Sequence, residues 1–281
     1  MAADLAALVP LRAMVPAPPR RPSAARLWSA VWPKLGAVAL MLIVWQLVVW
    51  SGWRAQSVLP GPMPVLHRLG ASLGHVDFYL GIATTMRRAA VGYMVAAGFG
   101  IAVAILVARI SLLRRAVASV LVGLQSMPSI AWFPFAVLLL ARTEGAITFV
   151  VVLGAGPAIA AGLLSGIDQV QPIQIRVGRS MGAAGLSLYR HVILPAAMPA
   201  FVSGLKQGWA FAWRSLMSAE LLVAAGASLG VQLQAARNAG DTQQLLAVMI
   251  VICVIGVVID GVFAGIERSV RMRWGLTGAE A

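Results

Sequence analysis

The sequence predicts an all-α membrane protein of about six transmembrane helices, with the N-terminus and C-terminus both cytoplasmic. Three observations carry this. Hydrophobic residues make up 60% of the 281-residue chain and charged residues only 11%, against roughly a quarter charged in ordinary soluble domains. The apolar residues gather into six runs, each near the roughly 20 residues that a hydrocarbon core about 30 Å thick requires. The basic residues fall in short segments between these runs, more of them on one side than on the other.

Taken in order, residues 1–34 carry Arg12, Arg20, Arg21, Arg26 and Lys34 around the Pro-rich stretch VPAPPRRP and read as a disordered basic cytoplasmic tail. No apolar core lies close enough to the start for a cleavable signal. The first span covers about residues 35–49 and extends toward Trp53, with Trp45, Trp50 and Trp53 fitting an interfacial belt. The second covers about 89–107. The third, about 116–141, is interrupted by Pro128 and Pro134, and the fourth, about 146–167, contains Pro157. Membrane neighbours satisfy backbone groups freed by such prolines, so kinked helices are expected there. A polar interval of about 169–198 precedes a fifth span at about 199–225, and the sixth runs over about 245–263. The transmembrane domain is therefore set at 35–267, with a cytoplasmic tail at 268–281. Small residues inside spans, as in GFGIAVAI and LGAGPAIAAG, let helices approach closely.

Lys and Arg number 22 against nine Asp and Glu, giving a net charge of +13. With the N-terminus inside, the cytoplasm receives the basic tail, then Arg109, Arg114 and Arg115, then Arg176, Arg179 and Arg190, then Arg268, Arg271 and Arg273. The opposite side receives Arg54, Arg68, Arg87, Arg88, Arg142 and Arg237, with Arg87 and Arg88 as mild exceptions at the outer end of the second span. A nucleic-acid partner would want such charges clustered on a polar folded domain, so none is expected. Cys253 stands alone in an apolar run, without disulfide or redox spacing. His67, His75 and His191 are too scattered to share one metal site with the carboxylates. No GxxxxGK[ST] occurs, so the chain should not bind or hydrolyse ATP itself.

The most informative segment is IDQVQPIQIRVGRSMGAAGLSLYRHVILPAAMPAF, between the fourth and fifth spans. By the charge distribution it is cytoplasmic. Apolar Ile175, Met181, Leu186, Leu188, Val192 and Ile193 alternate with basic residues, and Gly182 and Gly185 offer turn points. Two short amphipathic helices separated by glycine suit docking into a groove on a cytoplasmic partner.

This segment resembles the coupling motif of ABC importer permeases, in which a Glu-Ala-Ala triplet is followed by a glycine four residues after its second Ala and later by Ile-x-Leu-Pro. Arg176-Val177-Gly178 stands at the triplet, Gly182 at the glycine and Val192-Ile193-Leu194-Pro195 at the end. Arg176 replaces the acidic residue, so the docking role carries over without that residue's charge pairing. LPGPMPVL from Leu59, the stretch from TTMRRAAVGY to FPFAVLLL with Gln125, Pro128, Ala131 and Pro134, and SAELLVAAGASLGVQLQAARN resemble the nitrate, sulfonate and taurine branch. The likeness covers about residues 59–274.

The resemblance implies a type I ABC importer permease architecture in a bacterial inner membrane. It implies a second permease chain, as a homodimer, and cytoplasmic ATP-binding subunits that hold ATP and Mg and dock through Arg176, Val177, Gly178, Gly182, Leu194 and Pro195. It also implies an extracytoplasmic substrate-binding protein and a small anionic substrate, with aliphatic sulfonate the first choice and taurine or nitrate next. The chain itself carries no cofactor, and membrane lipid surrounds it.

Ionisable groups at membrane depth call for a functional hypothesis. Arg214 lies about 22 Å along a helix starting at Pro199, near the midplane. Glu220 lies further outward, six residues on, which is not the spacing of a same-helix pair. Both are candidate pathway residues: a guanidinium suits the oxygens of an anion. The bland alternative is a structural hydrogen-bond clamp between helices. Aromatic packing is the expectation for Trp132, Trp209 and Trp213. Two other classes compete with the transport subunit. A membrane-embedded enzyme should show convergent His or carboxylate residues at one depth, and a self-sufficient secondary transporter more often has a larger set of spans in two related halves.

Overall fold

The computed structural model describes residues 24–108, 111–223 and 226–274, and no strand occurs among them. Residues up to Pro62 form one compact unit and those from Met63 a second. The first unit holds α1 (Ala24–Trp50), which takes in Pro33 and is exposed along nearly its whole apolar length. Trp45 Nε1 donates to the Pro60 carbonyl at 3.1 Å, while Trp50 and Trp53 are exposed. The helix begins ten residues before the expected end of the tail at residue 34; residues 1–23 of that tail lie outside the described residues.

The second unit opens with α2 (Pro62–Ser72) and α3 (Val76–Ala108). At 33 residues, α3 extends well N-terminal of the expected start at 89, because VDFYLGIATTM is apolar enough to continue the helix and Asp77 sits favourably in its first turn. Arg87 and Arg88 thus lie inside a helix rather than at its end.

The expected third span is two helices, α4 (Ser111–Ser126) and α5 (Phe133–Leu140), joined through Pro128 and a 3-10 turn over Ser129–Trp132 and bent by 95°. Pro128 ends α4 because its extended φ/ψ and missing N–H cannot continue the ladder. Pro157, by contrast, is accommodated within α6 (Glu144–Asp168), the most buried of the long apolar helices.

The coupling interval is mostly helical. It contains α7 (Pro172–Ser180), α8 (Gly185–Leu188) and a π turn over Tyr189–Ile193 that runs directly into α9 (Leu194–Val223). The fifth span therefore starts five residues earlier than expected, since Pro195 falls in the first turn of α9 and Pro199 is accommodated inside the helix. Then come α10 (Leu229–Asn238), capped by Ser228, and α11 (Thr242–Arg273), whose N-cap Asp241 accepts from the Gln244 N–H at 2.9 Å. This capping bond, with Arg68 at 2.7 Å, holds the Asp241 carboxylate below its ordinary value against the opposing effect of burial. The helix continues ten residues past the expected end of the sixth span, so part of the expected tail at 268–281 is helix.

By length and composition four described helices can cross a membrane, and five if the bent α4–α5 pair is one span. The 30-residue α9 is long enough, but carries Lys206, Arg214 and Glu220. α6 lies at the centre, packed along α9 and α3. The α6–α9 crossing is close: a Cβ on Gly204 would stand 2.7 Å from the Gly162 Cα. Two helices can approach this closely only where neither carries a side chain. Trp209 stacks on Trp213 and on Phe263 of α11, with Tyr93 of α3 edge-on at 5.4 Å. These tryptophans are core packing, as expected.

Candidate functional site

One face of the α6–α9 pair carries a line of polar side chains among small and apolar ones. Ser203, Gln207, Arg214 and Ser218 follow one another on α9 at intervals of four, seven and four residues, which places them in a single stripe. Beside the stripe lie two clefts. The first, of about 630 Å³, is lined by Ser165, Gln169, Ser203, Gln207 and, from α11, Arg271. The second, of about 300 Å³, lies where the chain breaks between α4 and α5, and is lined by Gln125, Ser129, Ser215, Ser218 and Arg214. Ser215 donates to the Ser129 hydroxyl at 2.7 Å and fixes the break against α9. From Pro199 to Ser218 the two clefts span about 28 Å of α9, close to the hydrocarbon thickness.

Arg214 is exposed on this face. Its Nε donates to the Ala210 carbonyl at 3.0 Å, and its guanidinium carbon lies 5.2 Å from the centre of the Phe211 ring. Among the described residues no carboxylate pairs with it. A guanidinium facing acyl chains is costly. The stripe is therefore a surface for water or for protein, not for lipid.

Glu220 is not in this cleft. It is 1% exposed and faces α3, where it accepts from the Thr85 hydroxyl at 2.9 Å and from Arg88 Nη1 at 3.0 Å. In this structure Glu220 bridges α9 to α3 and does not line the cleft that holds Arg214. The six-residue spacing turns it about 120° or more from Arg214 around the helix. Arg88, met in the sequence only as a charge exception, is its partner. The nearest legible signal was that an arginine within a membrane span calls for a partner.

The coupling residues lie together at the opposite end from Glu220. α7 ends in a Schellman motif: Ala183 N–H donates to the Gly178 carbonyl and Gly182 N–H to that of Arg179. Gly182 has φ +87°, and nothing lies within 4 Å of where its Cβ would be. It is required by backbone conformation, not by space. Gly178 is required by space, since a Cβ there would stand 2.7 Å from Val192 Cγ2. Arg176 and Val177 are exposed, Leu194 is exposed and Pro195 half-buried. Ile173, Val177 and Met181 line an apolar cleft of about 300 Å³ with Val192, and Met181 is 82% exposed to solvent. Ile173, Val177 and Met181 thus leave a row of apolar side chains open on and just beyond a short helix. Among the described residues no group of three or more His, Cys, Asp or Glu side chains could hold a metal ion.

A family model for the inner membrane component of binding-protein-dependent transport systems matches residues 78–272, which include the α6–α9 face and the α7–α8 turn. The chain belongs to this family. It is 28% identical over 243 residues to the nitrate import permease protein NrtB of Synechocystis sp., covering 83% of this chain and 87% of the relative. The taurine transport system permease protein TauC of Escherichia coli is 28% identical over 239 residues, covering 83% and 86%. A chain of a solved amino acid ABC transporter with histidines superposes with a TM-score of 0.55 at 18% identity, over 70% of this chain and 94% of that one. This last likeness concerns the fold. The protein is a multi-pass inner membrane permease, the transport subunit of a binding-protein-dependent system.

Proposed function

We propose that the chain moves a small oxyanion, aliphatic sulfonate before taurine or nitrate, along the polar face of α6 and α9. Two copies assemble as a homodimer with these faces toward each other. Partner ATPase subunits, which bind ATP and Mg, dock on α7 and α8, and an extracytoplasmic binding protein delivers the solute. The observation that carries this reading is Arg214, a cation without a carboxylate partner among the described residues, beside the Ser215, Ser218 and Ser129 hydroxyls in a cleft at membrane depth. Its planar fork of N–H donors matches the oxygens of a sulfonate or nitrate, and the Ser129 hydroxyl, which accepts from Ser215, has its own proton to add as a neutral donor. The relatives whose names mention nitrate and taurine agree with a cargo that presents an oxyanion group.

The test is uptake in proteoliposomes holding the assembled transporter, with labelled sulfonate and competing taurine or nitrate. Arg214→Leu is expected to lower uptake at least about tenfold, and Arg214→Lys to retain part of it with altered preference among the anions. Unchanged uptake and preference in Arg214→Leu would remove Arg214 from the pathway.

A further inference from the structure

Arg88 is 6% exposed and lies well inside α3, between two carboxylates from other helices. Its Nε donates to Glu144 Oε2 of α6 at 3.0 Å, and its Nη1 to Glu220 Oε1 of α9 at 3.0 Å. One turn earlier on α3, Thr85 is fully buried; its hydroxyl donates to Glu220 and accepts the Leu229 N–H at 3.0 Å. The Gly230 N–H donates to the other side of the same carboxylate at 3.2 Å. Four helices, α3, α6, α9 and α10, thus converge on one guanidinium and one buried carboxylate, at the end of the bundle opposite the coupling turn.

The two halves of this network differ in kind. The Glu220 side chain is 0% exposed, whereas that of Glu144 is 55% exposed. Parting a buried, fully hydrogen-bonded pair strands a charge in an apolar interior and is strongly unfavourable, while an exposed carboxylate regains water when it leaves. The buried half is therefore not a gate.

We infer that Arg88, Thr85 and Glu220 form a permanent clamp that makes α3, α9 and the start of α10 one rigid body throughout the transport cycle. A displacement applied by the ATPase at the α7–α9 end reaches the outer end of the stripe only because this clamp stops α9 from sliding against α3. Arg88 and Thr85 are thus positioning residues for transport, remote from the anion. The inference rests on the importer reading, but not on the identity of the proposed cargo.

That structural test is amide hydrogen exchange at Leu229 and Gly230, whose N–H groups bond to Thr85 and Glu220, in the full complex without nucleotide and with ATP bound by a hydrolysis-deficient partner. Both amides are expected to stay protected in both states, and loss of protection in either overturns the clamp. The transport test compares solute moved per ATP hydrolysed for Arg88→Lys, which keeps the charge but loses the fork. A fall of at least about fivefold with the complex still assembled is expected, and a ratio equal to that of the unaltered complex refutes the positioning role. Should Arg88→Lys not assemble, Thr85→Val, which deletes one hydroxyl, takes its place with the same two outcomes. If the unaltered complex moves none of the anions, the proposed cargo is wrong, and the exchange comparison still decides the clamp.

Discussion

Arg214 and Glu220 share one helix and end in opposite surroundings, one open on a polar face and the other sealed against α3. The spacing on α9 already excluded a pair between them. What the sequence did not carry was the partner of Glu220, because Arg88 lies 132 positions away and only the packing of α3 on α9 brings them together. Gly182 is the reverse case: its need for glycine was legible from motif spacing, and the physical reason is φ +87°. Gly182→Leu meets no neighbour, yet forces an L-residue into left-handed backbone at a cost of roughly 1–2 kcal/mol. The turn after α7 is expected to reshape, so that ATP hydrolysis by the assembled complex persists while uptake falls several-fold. Normal uptake by a membrane-inserted Gly182→Leu chain would deny this turn its coupling role.

Among elements, six apolar runs were legible because each is long and, apart from the fifth, nearly uncharged, but their ends were not. α3 and α11 overrun the expected spans by many residues, since helices continue past the hydrocarbon wherever the next residues cap or pair. Asp241 shows how such an end is fixed. Its folded-state pKa lies below the unfolded one, so its contribution to stability is present in full above the ordinary carboxylate range near 4 and is lost as pH falls through the folded value. Asp241→Ala should therefore lower the thermal unfolding midpoint in detergent at neutral pH, by an amount corresponding to about 1 kcal/mol for the lost cap. The difference from the unaltered chain should narrow as the medium is acidified. A difference independent of pH would show that the carboxylate charge is not what caps α11. The break between α4 and α5 was foreseen as a kink at Pro128; its 95° angle and the Ser215–Ser129 bond that ties it to α9 were not, because both belong to packing between helices distant in the chain.

At the scale of the whole molecule, one bundle carries two functional ends and a face that joins them. The α7–α8 turn offers apolar side chains at one end, the Arg88 network ties helices at the other, and the polar stripe on α9 runs between. The turn at Gly182 was readable because its glycines and Leu-Pro keep a fixed spacing in the chain. The stripe was read at Arg214 alone, since Ser203, Gln207 and Ser218 become a face only when α9 is one unbroken helix against α6. The central claim is that this face works as part of an ATP-driven importer. Its most direct test is purification of the tagged chain from its own membranes, followed by reconstitution of whatever accompanies it into liposomes and measurement of anion uptake with and without ATP. The account predicts an ATP-binding subunit in the purified complex and uptake that requires both ATP and the binding protein. A chain that purifies alone and moves solute without ATP would contradict it.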